Sequence, residues 1–364
     1  MNLQKNTLLH GGTYRIVRFI NNGGFGCTYE AIHVMLEKRV AIKEFFIKDF
    51  CNRDDMTATV TIGTTSKKGL VEKLRGKFIE EAKALAQLQH EGIVKVSDVF
   101  EENGTAYYVM DYIEGKSLSQ ILKEEGTLPE ARALQYIEEV SKALAYVHAH
   151  HRLHLDIKPG NIMVDNNDHA ILIDFGASKQ YDEDNGENTS TLLGNTPGFA
   201  PPEQMANDVV KFTPSSDIYA LGATFYKLLT GVTPPSAHLL ISGEPLRPLP
   251  YGISQGITSA INASMQLNKS LRPQSIQEFS NLLSSNNKEE DESTKLFTSL
   301  TTDTNAKVNQ IPTPKDRTQQ KRILKFTGIA ALVVLFVLFI GSIKVSLPWG
   351  EDSVDVEFKH TENE

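Results

Sequence analysis

The spacing of apolar residues changes once along this chain, and that change restricts the folds open to it. In the first hundred residues apolar positions mostly alternate, as strands require. Residues 14–20 (YRIVRFI) alternate, Asn21-Asn22-Gly23-Gly24 reads as a turn, and residues 25–33 return as a strand, which predicts a hairpin. Residues 39–46 (RVAIKEFF) read as a third strand, and 93–113 as two more joined by Glu102-Asn103-Gly104-Thr105. One helix interrupts them at 77–89, with its apolar face at Phe78, Ala82, Leu85 and Leu88. After Ser117 the spacing becomes helical, first in 117–124 (SLSQILKE) and then in 131–150. The expected fold is therefore α+β, a mostly β lobe followed by a mostly α lobe, and nucleotide sites often lie at such a junction.

The chain has 364 residues, which allows one large or two small folded units. A net charge of -8 without a long basic stripe argues against nucleic acid as a partner. Only Cys27 and Cys51 are present, so a disulfide scaffold is excluded and a reducing compartment is the simpler reading. Cys27 falls in a Gly-rich segment and reads as a small strand side chain in preference to a redox sensor. The opening MNLQKNTLLHGG lacks the apolar core of a signal peptide.

Residues 284–325 are polar, carry Pro312 and Pro314, and read as a disordered linker ending in a basic juxtamembrane segment. Residues 326–343 hold no charge, and about 18 residues at 1.5 Å each span roughly 27 Å, close to the hydrocarbon thickness of a bilayer. A single transmembrane helix is expected there, flanked by Lys325 and Lys344. Lys315, Arg317, Lys321 and Arg322 precede it, whereas Glu351, Asp352, Asp355 and Glu357 follow. The positive-inside rule then places the large N-terminal part in the cytoplasm and residues 344–364 outside, as a tail too short for a sensor domain. No GxxxG occurs in the run, so dimerisation through it is unsupported, and the oligomeric state stays open.

The chemistry is carried by HLDIKPGN (154–161) and the DFG that follows. Together they supply Asp156, Lys158, Asn161 and Asp174. Phosphoryl transfer from a nucleotide needs a carboxylate to orient a hydroxyl and take its proton, a Lys to screen phosphoryl charge, and oxygen ligands for Mg²⁺. Upstream, Gly23, Gly24 and Gly26 surround Phe25, where glycines let backbone N–H groups approach phosphates. Lys43 lies on the third strand, and Glu81, on the following helix, is its expected partner; Glu80 points about 100° away.

These motifs resemble the eukaryotic-type protein kinase superfamily, and specifically the membrane-anchored Ser/Thr kinases of bacteria, over residues 14–283. The resemblance implies a bilobal kinase fold that transfers the γ-phosphoryl of ATP to Ser/Thr hydroxyls of proteins, with Mg²⁺ or Mn²⁺. Asn21, Asn22, Gly23, Gly24, Phe25 and Gly26 would form the phosphate loop. Thr28, Ala41 and Met163 would line the nucleotide site with Met110, which would guard the back pocket. Asp111, Tyr112 and Ile113 would be the hinge to adenine. Asp156 resembles the catalytic base, Lys158 favours Ser/Thr over Tyr, and Asn161 and Asp174 resemble the metal ligands. Thr196 resembles the threonine that bonds both base and lysine. Glu203 and Arg272 resemble a buried ion pair, and Asp217 the helix carboxylate that braces the catalytic loop.

Three departures stand out. Asn21 replaces the first glycine of the loop, and Asn tolerates positive φ better than most residues. Pro201 replaces the alanine of APE, a minor change. Leu155 replaces the arginine that normally pairs with a loop phosphate. Activity is therefore expected to depend little on activation-loop phosphorylation, and replacing Thr189, Ser190 and Thr191 by Ala should not abolish it. A pseudokinase scaffold usually lacks the lysine, the base or a metal ligand, all of which are present here. A small-molecule phosphotransferase is not expected to combine Thr196, PPE and Lys158. Residues 49–76 form a long link in which TATVTIGT alternates, read as an inconsequential surface insertion ahead of a regulatory flap. His148, His150 and His151 lie at a helix end, where positive charge is favourable, and are not read as metal ligands.

Overall fold

The computed structural model describes residues 2–23, 26–54, 57–63, 65–175, 179–180, 196–206 and 212–284, and two strands near the C-terminus. The first lobe comprises β1 (Leu8–Leu9), β2 (Tyr14–Gly23), β3 (Gly26–His33), β4 (Lys38–Phe45), β5 (Cys51–Arg53), β6 (Val60–Ile62), α1 (Lys68–Leu85), β7 (Val96–Glu102) and β8 (Thr105–Asp111). Six of these strands form an antiparallel sheet in the order β1-β2-β3-β4-β8-β7. In β4 every residue from Val40 to Phe45 is buried, because both faces of the sheet are covered at this strand. On one face lies α1, whose Phe78 ring sits 5.7 Å from Phe45 and 5.0 Å from Tyr108.

The other face is covered by the N-terminal segment and the 49–76 link, whose β5 and β6 pair as a small hairpin. Glu44, fully buried, accepts hydrogen bonds there from Tyr107 Oη (2.7 Å), Tyr29 Oη (3.0 Å) and Arg53 Nη2 (2.5 Å). Leu3 N donates to the Tyr29 hydroxyl (3.2 Å), and Val60 N donates to Asn103 O (2.7 Å). The reading of 49–76 as an inconsequential insertion is thus corrected. Arg53 brings a buried charge that Glu44 requires, and a buried carboxylate with three donors is satisfied where a bare one would be costly.

Two helix and turn boundaries also differ from expectation. The helix expected at 77–89 begins at Lys68 and ends at Leu85, because Gly69, Gly76 and many charges hid its first turns. Asn21, Asn22 and Gly23 lie in β2, paired with Thr28, Cys27 and Gly26, so strand pairing runs through residues read from the sequence as a turn. The β7–β8 turn falls as expected at Asn103 (φ 53°) and Gly104 (φ 70°). A Cβ on Gly104 would lie 2.6 Å from Val60 O, so this glycine also admits the β5–β6 hairpin.

The second lobe holds β9 (Gly115–Ser117), α2 (Leu118–Glu125), α3 (Glu130–Ala149), β10 (Arg152–Leu153), β11 (Ile162–Asp165), β12 (Ala170–Leu172) and β13 (Lys179–Gln180). It continues with α4 (Pro202–Met205), α5 (Pro214–Thr230), α6 (Ala237–Ile241), α7 (Gln255–Ser264) and α8 (Ile276–Ser284). Ser117 caps α2 in a reciprocal box with Gln120, which fixes where the helical part begins. Residues 215–226 of α5 are buried all round, as expected of a central helix, and α3, α7 and α8 pack against it.

A separate unit begins at Thr298, and within it β14 (Val345–Trp349) pairs with β15 (Asp352–Val356). Among the described residues no helix is long and apolar enough to cross a membrane. The expected helix at 326–343, residues 285–325 of the expected linker, the loop residues Thr189, Ser190 and Thr191, and Gly24 and Phe25 lie outside the described residues.

Candidate active site

A cavity of about 570 Å³ lies where the two lobes meet. Asn21, Thr28, Ala41 and Lys43 line it from the sheet, with Met110 at the end of β8. Asp111, Tyr112 and Ile113, which leave β8 for the second lobe, line it too. Asn161, Met163 and Asp174 close it from below, and α2 adds Ser119, Gln120 and Lys123. Asp111 is held by Lys38 Nζ (2.6 Å), and the Arg39 guanidinium stacks 4.1 Å from the Tyr112 ring, so the connection between lobes is tied to β4.

The glycines behave differently from one another. A Cβ at Gly26 would come 1.9 Å from Glu44 O, so this glycine is required by close pairing with β4 rather than by phosphate access. A Cβ at Gly23 would lie 3.8 Å from Asp174 Oδ2, which places the end of β2 above that carboxylate. Asn21 does not use its tolerance of positive φ; it pairs with Thr28 just after a register shift in β2. Cys27 Sγ donates to Asn22 Oδ1 (3.1 Å), and burial pushes both the Cys27 and Cys51 thiols up, which keeps them protonated.

Lys43 is buried and paired with Asp174, and burial, which alone would lower its pKa, is outweighed by that carboxylate. It makes no ion pair with Glu81, the partner expected from sequence. Glu81 Oε1 is buried without a hydrogen-bond partner, and burial pushes the carboxyl up to about 8, against the opposing influence of Lys43. Tyr108, which sequence reasoning passed over, occupies this corner. Its ring centroid is 5.6 Å from Lys43 Nζ, and burial pushes its hydroxyl pKa up. The available signal was its place two residues before Met110 on one strand, which puts both on the same face.

Below the cavity, the segment from β10 to β11 carries Asp156. Asp156 Oδ1 accepts from Thr196 Oγ1 (2.9 Å) and Lys158 Nζ (2.9 Å). Its Oδ2 accepts from Lys158 Nζ (2.8 Å) and Asn161 Nδ2 (2.8 Å). Lys158 Nζ also donates to Thr196 Oγ1 (3.0 Å), so the four side chains form one closed set. Asp217, fully buried on α5, accepts from Leu155 N (2.7 Å) and His154 N (2.9 Å). His148 Nε2 lies 2.8 Å from the same carboxylate, a role that its place at a helix end did not reveal. Burial works to raise the Asp217 pKa, but the His148 hydrogen bond and nearby histidines bring it below the usual carboxylate range. His154 is buried against Phe175, ring centroids 4.4 Å apart; burial lowers its pKa, and its Nδ1 accepts from Asp156 N (3.2 Å). Further down, Arg272 and Glu203 form a two-bond buried ion pair (2.7 and 3.1 Å), to which Ser216 Oγ adds a third bond (2.8 Å).

The profile of the protein kinase domain matches residues 14–278. The chain belongs to the protein kinase domain family. It is 30% identical over 272 residues to serine/threonine-protein kinase PknA of Mycobacterium tuberculosis, an overlap of 72% of this chain and 58% of that one. Serine/threonine-protein kinase PrkC of Bacillus subtilis is 32% identical over 223 residues, covering 61% of this chain and 31% of its own length. This chain therefore spans little more than half of the first relative and less than a third of the second. Among solved structures, that of PpkA-294 in its apo form superposes with a TM-score of 0.67 at 28% identity, covering 78% of this chain and 99% of the other. The bilobal fold is that of bacterial Ser/Thr kinases.

Proposed function

We propose that this chain is a Ser/Thr protein kinase that transfers the γ-phosphoryl group of ATP to protein hydroxyls. The observation that carries the reading is the closed set around Asp156. Its carboxylate is fixed by three donors beside a cavity large enough for a nucleotide and bordered by Lys43. Asp156 would orient the substrate hydroxyl and take its proton, while Lys158 and Lys43 screen the phosphate charge. Catalysis would come from positioning and fixed charge. Thr196 keeps Lys158 and Asp156 in register. The adenine would lie against Ala41, Met110 and Met163, with the backbone of 111–113 supplying its polar contacts.

The residues present fit a divalent cation. Asn161 commits its amide nitrogen to Asp156, which leaves its carbonyl oxygen as the remaining polar atom, and with Asp174 it lines the cavity. Oxygen donors of this kind suit Mg²⁺ or Mn²⁺. When bound, such an ion neutralises phosphate charge. Asn161 and Asp174 would hold it, with Lys43 beside Asp174 to screen the phosphate charge.

Independence from loop phosphorylation belongs to the same proposal. Leu155 is buried and apolar where a phosphate-binding arginine would stand. Attachment to the cell membrane through 326–343, with the kinase domain (14–283) in the cytoplasm and 344–364 beyond the bilayer, is proposed from the uncharged run and its basic flank.

Incubation of the full chain with ATP, Mg²⁺ and a protein mixture, followed by phosphoamino-acid analysis, tests the function. Phosphoserine and phosphothreonine are expected. Consumption of ATP with phosphate recovered only on a small molecule, or no transfer at all, would overturn it.

A further inference from the structure

Leu155 adopts φ 61°, a left-handed conformation that a branched side chain rarely takes. Something must hold the backbone there, because the next residue is Asp156. The N–H of Leu155 is held by Asp217 Oδ1 (2.7 Å). Its carbonyl is held by a residue that no motif singled out: Gln204 Nε2 donates to Leu155 O at 2.7 Å. Both Gln204 and Leu155 are 3% exposed, so neither polar group has water as an alternative. The acceptor is a carbonyl, which requires the NH₂ end of the amide to face it.

Gln204 lies on α4, and the preceding residue, Glu203, is clamped by Arg272 and Ser216. The donor is thus mounted on an anchored turn. The same stretch of chain reaches the catalytic loop a second time through Thr196, which bonds the Asp156 carboxylate itself. The peptide joining Leu155 to Asp156 is consequently bonded at both ends, by Gln204 on the carbonyl and by His154 Nδ1 on the Asp156 N–H.

We propose that Gln204 is a positioning residue for Asp156: through Leu155 O it fixes the orientation of the catalytic carboxylate and fastens the 196–204 segment to the catalytic loop without a phosphate. The assignment rests on the phosphoryl-transfer reading of Asp156. It predicts a defect in turnover rather than in nucleotide binding.

The test uses the phosphatase-treated full chain and two variants of similar side-chain volume that cannot donate, Gln204→Met and Gln204→Leu. An unsatisfied buried carbonyl predicts a kcat roughly tenfold lower or more in both. KM for ATP and the affinity for an ATP analogue should stay at the parent value. Hydrogen exchange of the peptide covering 153–158 should be faster than in the parent. Parent-like kcat with parent-like exchange would overturn the proposal, as would a kcat loss accompanied by an equal loss of nucleotide affinity, which marks general misfolding. A parent chain that transfers no phosphate defeats the functional reading instead, and the exchange measurement still decides whether Gln204 holds the loop.

Discussion

Lys43 has two carboxylates within its field, and in this structure it takes Asp174. Glu81 is left with a buried oxygen and a carboxyl pushed up to about 8 by burial. A folded-state value above the ordinary 4.5 means that the folded protein holds this proton more tightly than the unfolded chain. Stability from this group is therefore complete at acid pH and is lost as pH rises from 4.5 towards about 8. Glu81→Gln removes the titration. Its Tm relative to the parent should rise between pH 5 and pH 8 in thermal unfolding without nucleotide, and a pH-independent difference would contradict the burial argument. Most residues of this site were legible in the sequence because their types and order are rare together: Asp156, Lys158, Asn161 and Asp174 fall within one short stretch. Gln204, His148 and Tyr108 were not legible. A Gln after PPE, a His near a helix end and a Tyr in a strand are each ordinary until packing brings them to Leu155, Asp217 and Lys43.

The β5–β6 hairpin shows at the scale of elements how a segment without a motif can be structural. Arg53 is its contribution to the sheet, and its guanidinium meets a carboxylate that two tyrosine hydroxyls also bond. Arg53→Met should cost about 3–5 kcal/mol, the usual penalty for leaving one charge of a buried pair behind. Denaturant unfolding measures it, and a change below about 1 kcal/mol, typical of an exposed pair, would return the hairpin to the status of a surface insertion. Periodicity found β6 within an alternating stretch but missed β5, and it could not say which face of the sheet the hairpin would cover. It also started α1 too late, because the early turns of that helix bury only Val71 fully, with Leu74 half-buried among charged and glycine residues. Gly26 illustrates a related limit: a glycine in a phosphate-loop pattern turned out to answer to Glu44 O.

For the molecule as a whole, the switch from alternating to helical spacing at Ser117 was enough to foresee the two lobes, since strands dominate the first and helices the second. Burial of α5 on all sides and the union of both lobes around one hydrophobic core were not foreseeable from spacing, because they depend on contacts far apart in the chain. If residues 326–343 anchor the chain, it should remain in the membrane pellet after carbonate washing. Leu335→Arg with Leu338→Arg, each costing about 2.5–3.5 kcal/mol at a span centre, should release it. Release of the parent by carbonate would remove the anchor from the account. The most direct test of the whole reading is a rate of phosphate transfer to protein from ATP and Mg²⁺, measured on the phosphatase-treated full chain and on Asp156→Asn. The parent should be active without a loop phosphate, and the variant should bind ATP as well yet turn over about 10²–10⁴-fold more slowly. Equal rates for the two would contradict Asp156 as the base and with it the proposed function.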